Sequence, residues 1–348
     1  LRFFHLSYRL FRFGMEWVRG EVIGSGCFST VNVATTSSFD LIAVKSADVS
    51  CSSFLKNEKH VLDCLGEHKH IIKCLGADVT YENSGKCFNL LLEYAEGGSL
   101  SDKMKKFGGK LAEEEVRRYT RQVLSGLSHV HQMGFAHLDI KPGNLLLSET
   151  GDVKLADFGL AQRGGCRRVE IRGTPLYMAP ESVNDNVYSA SCDVWALGCS
   201  VVELITGRPA WSKKGGERER EQNLMSMLLR IGIGNEVPDI PVEMSDEGKD
   251  FLTKCLVKDT HKRWTTDMLL KHPFVCGVDE ERKVCSVSPK GVFDFPDEWN
   301  SSCRHSSSSV VFPVTPEAQM KKIPARLRQL AGNSECEWVE SGSWIRVR

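Results

Sequence analysis

The stretch LDIKPGNLLL, Leu138 to Leu147, sets Asp139, Lys141 and Asn144 on one loop ahead of an apolar run. Asp157 then follows a second short apolar run, VKLA. Carboxylates at strand ends beside an asparagine amide supply the hard oxygen donors that Mg2+ takes. Taken singly, an aspartate in a loop is more often a turn residue. Upstream, IGSGCFSTV runs from Ile23 through Gly24, Ser25, Gly26, Cys27, Phe28, Ser29 and Thr30 to Val31. Gly24 and Gly26 let the backbone approach a polyphosphate and turn its amides toward it. Such turns also close ordinary hairpins, and Ser29 stands where a third glycine would complete the usual pattern. Lys45 sits in the apolar run AVKS, where a buried ammonium needs an anionic partner. Glu58 on the next helix is the candidate, although such a pair in isolation is usually a solvated one. Five elements in this order and at this spacing outweigh the bland reading of each.

These residues need elements to place them. WVRGEVIG, TVNVATT, LIAVKSA and KCFNLLLEY alternate apolar residues with turns and predict strands. Between them, SSFLKNEKHVLDCLG has helical spacing and a stop at Gly66. After EGGSL, residues 96–100, the text changes to long helices. LAEEEVRRYTRQVLSGLSHVHQMG begins acidic and ends at Gly134, as the helix dipole favours. SASCDVWALGCSVVELITG is apolar almost all round and predicts a buried helix, and SDEGKDFLTKCLV opens on a serine cap, Ser245. The result is an α+β chain of two unequal lobes joined near Glu93 to Gly97.

Composition sets the outer bounds. The 348 residues carry 45 basic and 45 acidic side chains, with 41% hydrophobic residues. That balance argues against wholesale binding to nucleic acid or a membrane surface. No apolar run approaches the roughly 18 residues of a spanning helix. Thirteen scattered cysteines, odd in number and without a CxxC pair, read as reduced thiols, most of them buried among apolar neighbours, and place the protein in the cytoplasm or nucleus. Residues 1–14 are aromatic and basic without an acid, and are read as upstream translated sequence before a native start at Met15. Residues 276–348, rich in serine and proline, are expected to form a poorly ordered tail. Within it, KKIPARLRQLAG is a basic helix that could dock regulatory proteins or simply be solvated, and CEWVESGSWIRV could pair as strands.

Together the motifs resemble a protein kinase catalytic domain over residues 16–275, about three quarters of the chain. The residues that carry the resemblance are Gly24, Gly26, Lys45, Glu58, Asp139, Lys141, Asn144, Asp157-Phe158-Gly159, Ala179-Pro180-Glu181, Asp193 and Arg263. It implies the bilobal kinase fold, with a small antiparallel-sheet lobe over 16–93 and a larger helical lobe over 97–275. Lys141 resembles the serine/threonine branch. GTPLYMAPE, DVWALGC and TGRPAW resemble the plant MEKK-like MAP kinase kinase kinases. The resemblance implies ATP and Mg2+ as cofactors and a MAP kinase kinase as substrate, with the enzyme acting as a monomer. Under it Lys45, held by Glu58, binds the α/β-phosphates, Asp139 is the base, and Lys141 lies near the transferred group. Asn144 and Asp157 hold Mg2+. The adenine is expected between Val31, Ala43 and Leu146, with hinge contacts at Glu93 and Ala95 and Leu92 as gatekeeper. Glu181 and Arg263 form a structural ion pair.

One position departs from the family pattern. Leu138 replaces the arginine that usually precedes the base, and LAQRGGCRRVEIR, Leu160 to Arg172, contains no serine, threonine or tyrosine. In kinases that have it, that arginine receives a phosphate on this segment. Phosphate acceptor and receptor are both missing, so the segment is expected to order without phosphate, through Glu170 and one of Arg163, Arg167, Arg168 or Arg172. Thr174 is expected to bond the catalytic aspartate. Gly143, where basophilic kinases carry glutamate, implies weak selection for an upstream arginine. A pseudokinase that binds nucleotide or partners without transfer is the alternative, and the four intact chemical residues weigh against it.

Overall fold

A computed structural model of the chain describes residues 16–26, 29–82, 85–164, 173–212, 224–234 and 236–276. The expectations for residues 1–14, Cys27, Phe28, Arg167, Arg168, Glu170, Arg172 and the tail beyond 276 lie outside them.

The first lobe is a five-stranded antiparallel sheet and one helix. Its strands are β1 (Trp17–Ser25), β2 (Thr30–Thr36), β3 (Leu41–Asp48), β4 (Cys74–Glu82) and β5 (Gly85–Glu93), in spatial order β1-β2-β3-β5-β4. The helix, α1 (Ser53–Leu65), turns Leu55, Val61, Leu62 and Leu65 inward. It ends as its spacing predicts: Gly66 adopts φ 68° and returns its N–H to the Leu62 carbonyl, a conformation costly for any residue with a Cβ. One sheet face is closed by Ala34, Ile42, Val44 and Leu91 with Trp17 and Leu75. Beside this cluster the Arg19 guanidinium spans the strands, donating to Asn32 (3.1 Å), Ser46 (2.8 Å), Asn89 (3.0 Å) and Glu82 (2.8 Å).

The second lobe opens with β6 (Gly98–Ser99), α2 (Leu100–Lys106) and the long α3 (Glu113–Gln132). Short strands β7 (Phe135–Ala136), β8 (Leu145–Leu147), β9 (Val153–Leu155) and β10 (Gln162–Arg163) follow. Then come α4 (Pro180–Asn184), α5 (Ala190–Thr206), α6 (Leu224–Gly232), α7 (Asp246–Cys255) and α8 (Thr266–Leu269). As its composition predicts, α5 is buried along nearly its whole length, Trp195 completely. The Ser245 side chain caps α7 by accepting the Gly248 N–H at 3.1 Å.

Two expectations need correction. Strand β4 carries no predicted signal: it is the sheet edge, half-buried along most of its length, with a register break between Cys74 and Gly76. Among the described residues, the cysteines are not mostly buried. All eight described ones are free thiols, but only Cys192, Cys199 and Cys255 are buried, because the others lie on edges and ends of elements rather than in the large-lobe core. Among the described residues, no helix is long and apolar enough to cross a membrane.

Candidate active site

The site lies where α1 and β3 of the first lobe meet the β7–β8 and β9–β10 connections of the second. Lys45, on β3, is buried, and its ammonium reaches Glu58 of α1 at 2.8 Å and Asp157 at 2.7 Å. Burial works against its charge, yet the two carboxylates more than compensate, and the Lys45 pKa lies above the usual lysine range. Glu58 is fully buried and shifts upward, from burial first and in spite of Lys45. For Asp157 burial is outweighed by Lys45, and its carboxyl is held below the ordinary range. The solvated pair that Lys45 and Glu58 would form in isolation is therefore not what the fold builds. Breaking a buried pair from one side leaves an uncompensated charge and costs about 3–5 kcal/mol.

Asp139, Lys141 and Asn144 form one polar knot. Asp139 Oδ2 accepts from Lys141 Nζ and from Asn144 Nδ2, both at 2.8 Å. Asp139 Oδ1 accepts from the Thr174 hydroxyl at 2.8 Å and the Thr174 N–H at 3.2 Å, the bond expected of that threonine. Lys141 Nζ also donates to the Thr174 hydroxyl at 2.8 Å. Asn144 uses its amide hydrogens on the Asp139 carboxylate and carbonyl, and its Oδ1 is buried without a hydrogen-bond partner. An orphaned acceptor costs about 1–3 kcal/mol unless a cation takes its lone pairs.

That orphan tests the fit to a metal. Asn144 is tied to the approach to Asp157, its carbonyl accepting the Ala156 N–H at 3.0 Å. Among the described residues, no group of three or more His, Cys, Asp or Glu could hold a metal unaided. One amide oxygen and one ionised carboxylate are instead the partial protein set that Mg2+ accepts when waters and phosphate oxygens complete its octahedron. The residues fit Mg2+.

Backbone placement of the loop depends on residues whose roles the sequence did not reveal. Asp193 of α5, fully buried, accepts the His137 N–H at 2.8 Å on one oxygen and the Leu138 N–H at 2.7 Å on the other. It thereby holds Leu138 at φ 68°, a left-handed conformation costing a leucine about 1–3 kcal/mol. His137 is buried against Phe158, centroids 4.5 Å apart. Its Nδ1 accepts the Asp139 N–H at 3.3 Å, so its proton sits on Nε2 facing the Ala156 carbonyl at 3.1 Å. Burial, ahead of the neighbouring carboxylates, pushes its pKa down, so the ring is neutral. Leu138 borders an apolar hollow of about 20 Å3 with Tyr177, Met178 and Cys192.

The nucleotide-side candidates separate by element. Ile23, Gly24 and Ser25 end β1, and Thr30 and Val31 start β2, where Val31 pairs with Lys45. Gly26 and Ser29 close the turn, the Gly26 N–H donating to the Ser29 carbonyl at 2.8 Å. Ala43 pairs with Leu92, and both are buried. Glu93 spends its N–H on the Lys73 carbonyl (3.0 Å) and its carboxylate on the Lys73 N–H (2.9 Å) and the Lys154 ammonium (2.7 Å). Ala95 accepts the Gly98 N–H at 3.2 Å, and Leu146 lies half-buried on β8. Remote from the cleft, Glu181 and Arg263 form the expected buried pair, at 2.6 and 3.0 Å. Arg163 lies over the Phe135 ring at 5.3 Å, while its expected partner Glu170 is outside the described residues.

An antiparallel lobe over a helical lobe, with lysine, aspartates and asparagine gathered between them, defines a phosphotransferase cleft. The family model of the protein kinase domain matches residues 17–275, and the chain belongs to that family, as a protein serine/threonine kinase. It is 51% identical over 359 residues to mitogen-activated protein kinase kinase kinase 20 of Arabidopsis thaliana, covering 96% of this chain and 100% of that protein. Kinase kinase kinase 18 of the same plant is 40% identical over 80% of this chain and 84% of its own length. Kinase kinase kinase 17 is 39% identical over 75% and 70%.

Proposed function

We propose that the chain transfers the ATP γ-phosphoryl group to a MAP kinase kinase in a plant MAP kinase cascade, and that it does so without phosphate on its activation segment. The observation that carries this reading is the convergence of Lys45, Glu58, Asp139, Asn144 and Asp157 in one cleft, with the buried Lys45–Glu58 pair made. Relatives named as MAP kinase kinase kinases support the substrate class.

In this reading Lys45 binds the α/β-phosphates and Glu58 fixes its direction. Gly24, Ser25 and Ser29 line the phosphates, Gly26 holds the turn by giving its N–H to the Ser29 carbonyl, and Cys27 and Phe28 are assigned to the same nucleotide site. Ile23, Val31, Ala43 and Leu146 enclose the adenine, and Leu92 closes the pocket behind it. Glu93, whose N–H and carboxylate are committed elsewhere, offers its carbonyl to the hinge contact, and Ala95 offers its amide. Thr30 supports the turn. Asp139 orients the substrate hydroxyl and accepts its proton, and Lys141 steadies the transferred group. Asn144 and Asp157 would hold Mg2+, which when bound neutralises charge developing on the phosphates. The free thiols support a cytoplasmic or nuclear setting. The chain is taken to act as a monomer, with the basic tail segment 321–332 assigned to binding regulators.

The test compares wild type with Asp139→Asn in phosphoryl transfer to a catalytically dead MAP kinase kinase. Removing the base is expected to lower the rate about 10²–10⁴-fold. Equal, negligible transfer by both would favour a nucleotide-binding scaffold. Phosphatase treatment of the wild type should leave its activity in place, and a large loss traced to a phosphosite between residues 160 and 180 would contradict phosphate independence.

A further inference from the structure

Helix α1 holds the metal loop with two consecutive side chains of opposite polarity. Glu58 Oε1 accepts the Phe158 N–H at 3.1 Å. Asn57 turns its amide nitrogen to the other side of the same turn, donating to the Gly159 carbonyl at 3.0 Å and the Ala161 carbonyl at 2.9 Å, with the Phe158 carbonyl further off at 3.5 Å. A side-chain amide has two hydrogens, and the two short contacts use both. Three carbonyls around one end of the group also fix which end is nitrogen.

The turn held in this way is the 3-10 segment Phe158–Leu160, and among the described residues α1 packs against it more extensively than against any strand. It follows Asp157 directly, and Asp157 is left-handed at φ 67°, ψ 68°. Only a surrounding structure that over-determines such a residue keeps it there. Neighbouring helix residues project about 100° apart, so rotation or withdrawal of α1 cannot keep the Glu58 acceptor and the Asn57 donor engaged together. The Lys45–Glu58 pair and the Asp157 loop are thus locked to one position of the helix.

We propose that Asn57 is a positioning residue for phosphoryl transfer: its amide keeps Asp157 and α1 in their working arrangement, supplying the order that other kinases obtain from a phosphorylated segment. This rests on the reading that residues 160–172 need no phosphate, and it adds the group that makes that possible. Asn57 acts through the turn whose carbonyls it bonds, and no contact with nucleotide or protein substrate is assigned to it.

The experiment uses the full chain, phosphatase-treated, as wild type, Asn57→Asp, Asn57→Ala and Asn57→Gln. Asn57→Asp keeps the shape but points an acceptor at two carbonyls. It should lower kcat/KM for ATP roughly tenfold or more, weaken Mg2+-dependent ADP binding by titration calorimetry, and speed hydrogen exchange at the Phe158 and Ala161 amides, with losses out of proportion to any fall in melting temperature. Asn57→Ala should fall between, and Asn57→Gln, which retains the donor, should recover part of the loss. If the aspartate variant keeps wild-type kcat/KM, ADP affinity and exchange while the wild type tolerates phosphatase, the inference is wrong and phosphate independence stands. A fall in proportion to lost melting temperature, equal in the alanine and glutamine variants, would make Asn57 merely structural and also overturns it. If phosphatase silences the wild type, phosphate independence fails first, and the claim that the amide substitutes for phosphate fails with it.

Discussion

Thr174 is bonded in both directions, accepting from Lys141 Nζ and donating to Asp139 Oδ1, each at 2.8 Å. Thr174→Val keeps the shape and removes both hydrogen bonds of the hydroxyl, each to a charged group, the one to Asp139 alone worth about 1.5–3 kcal/mol. Because the Thr174 hydroxyl bonds the proposed base and Lys141, both assigned to the transferred group rather than to the adenine or the α/β-phosphates, kcat should fall roughly 10–100-fold while KM for ATP stays near wild type, and Thr174→Ser should regain most of it. A steady-state comparison of the three decides; an equal rise in KM would show that the hydroxyl serves binding instead. Much of this residue-level chemistry was legible in the text of the chain. Lys45 and Glu58 are 13 residues apart on elements with clear periodicity, and the motifs around Asp139 and Asp157 are local. Asn57, His137 and Asp193 carry no such signal for their roles. Their contacts cross 102, 19 and 56 residues, and a buried polar residue looks in sequence like any exposed one until its partner arrives.

The elements were readable where periodicity was strong, as in α3, or where an apolar run was nearly unbroken, as in α5, and failed at β4, whose edge position leaves no alternation for burial to impose. What joins the lobes is less visible still. The Ile72 N–H donates to the Leu155 carbonyl and the Leu155 N–H to the His70 carbonyl, both at 2.9 Å. This stitches the chain after α1 to β9, two residues short of Asp157. Helix α3 presses on the seam at Gly126, where an added Cβ would lie 2.8 Å from the His70 carbonyl and 2.9 Å from Leu155 Cδ1. The backbone cannot yield as a flexible side chain would. Gly126→Ala is therefore expected to destabilise the fold by about 1–3 kcal/mol, read as a lowered midpoint in urea at constant slope. An unchanged midpoint would mean that α3 is free to retreat.

At the scale of the molecule, the histidines near the lobe junction, His70 and His137 buried and His68 half-buried, make stability depend on pH. His137 is pushed below its ordinary range by burial, as are His68 and His70. Below about pH 6.5 the unfolded chain takes up protons that the folded chain refuses, so stability is present above that value and is lost as pH falls toward the folded pKa, at up to about 1.4 kcal/mol per pH unit for His137. Melting temperature should drop as the buffer is taken from about pH 7 to 5.5, and His137→Gln should flatten part of that slope. A flat wild-type profile would contradict the neutral assignment. Far from this junction, Glu181 and Arg263 anchor the large lobe with every polar end engaged, Arg263 also reaching the Ser191 and Val257 carbonyls at 2.8 Å. The bend at Leu138 has a wider meaning. Asp193 grips main-chain hydrogens there and makes no use of the side chain, so the hook that aims the loop does not depend on which residue stands at 138. At this peptide unit the backbone carries the aim, and the side chain is left over for other work.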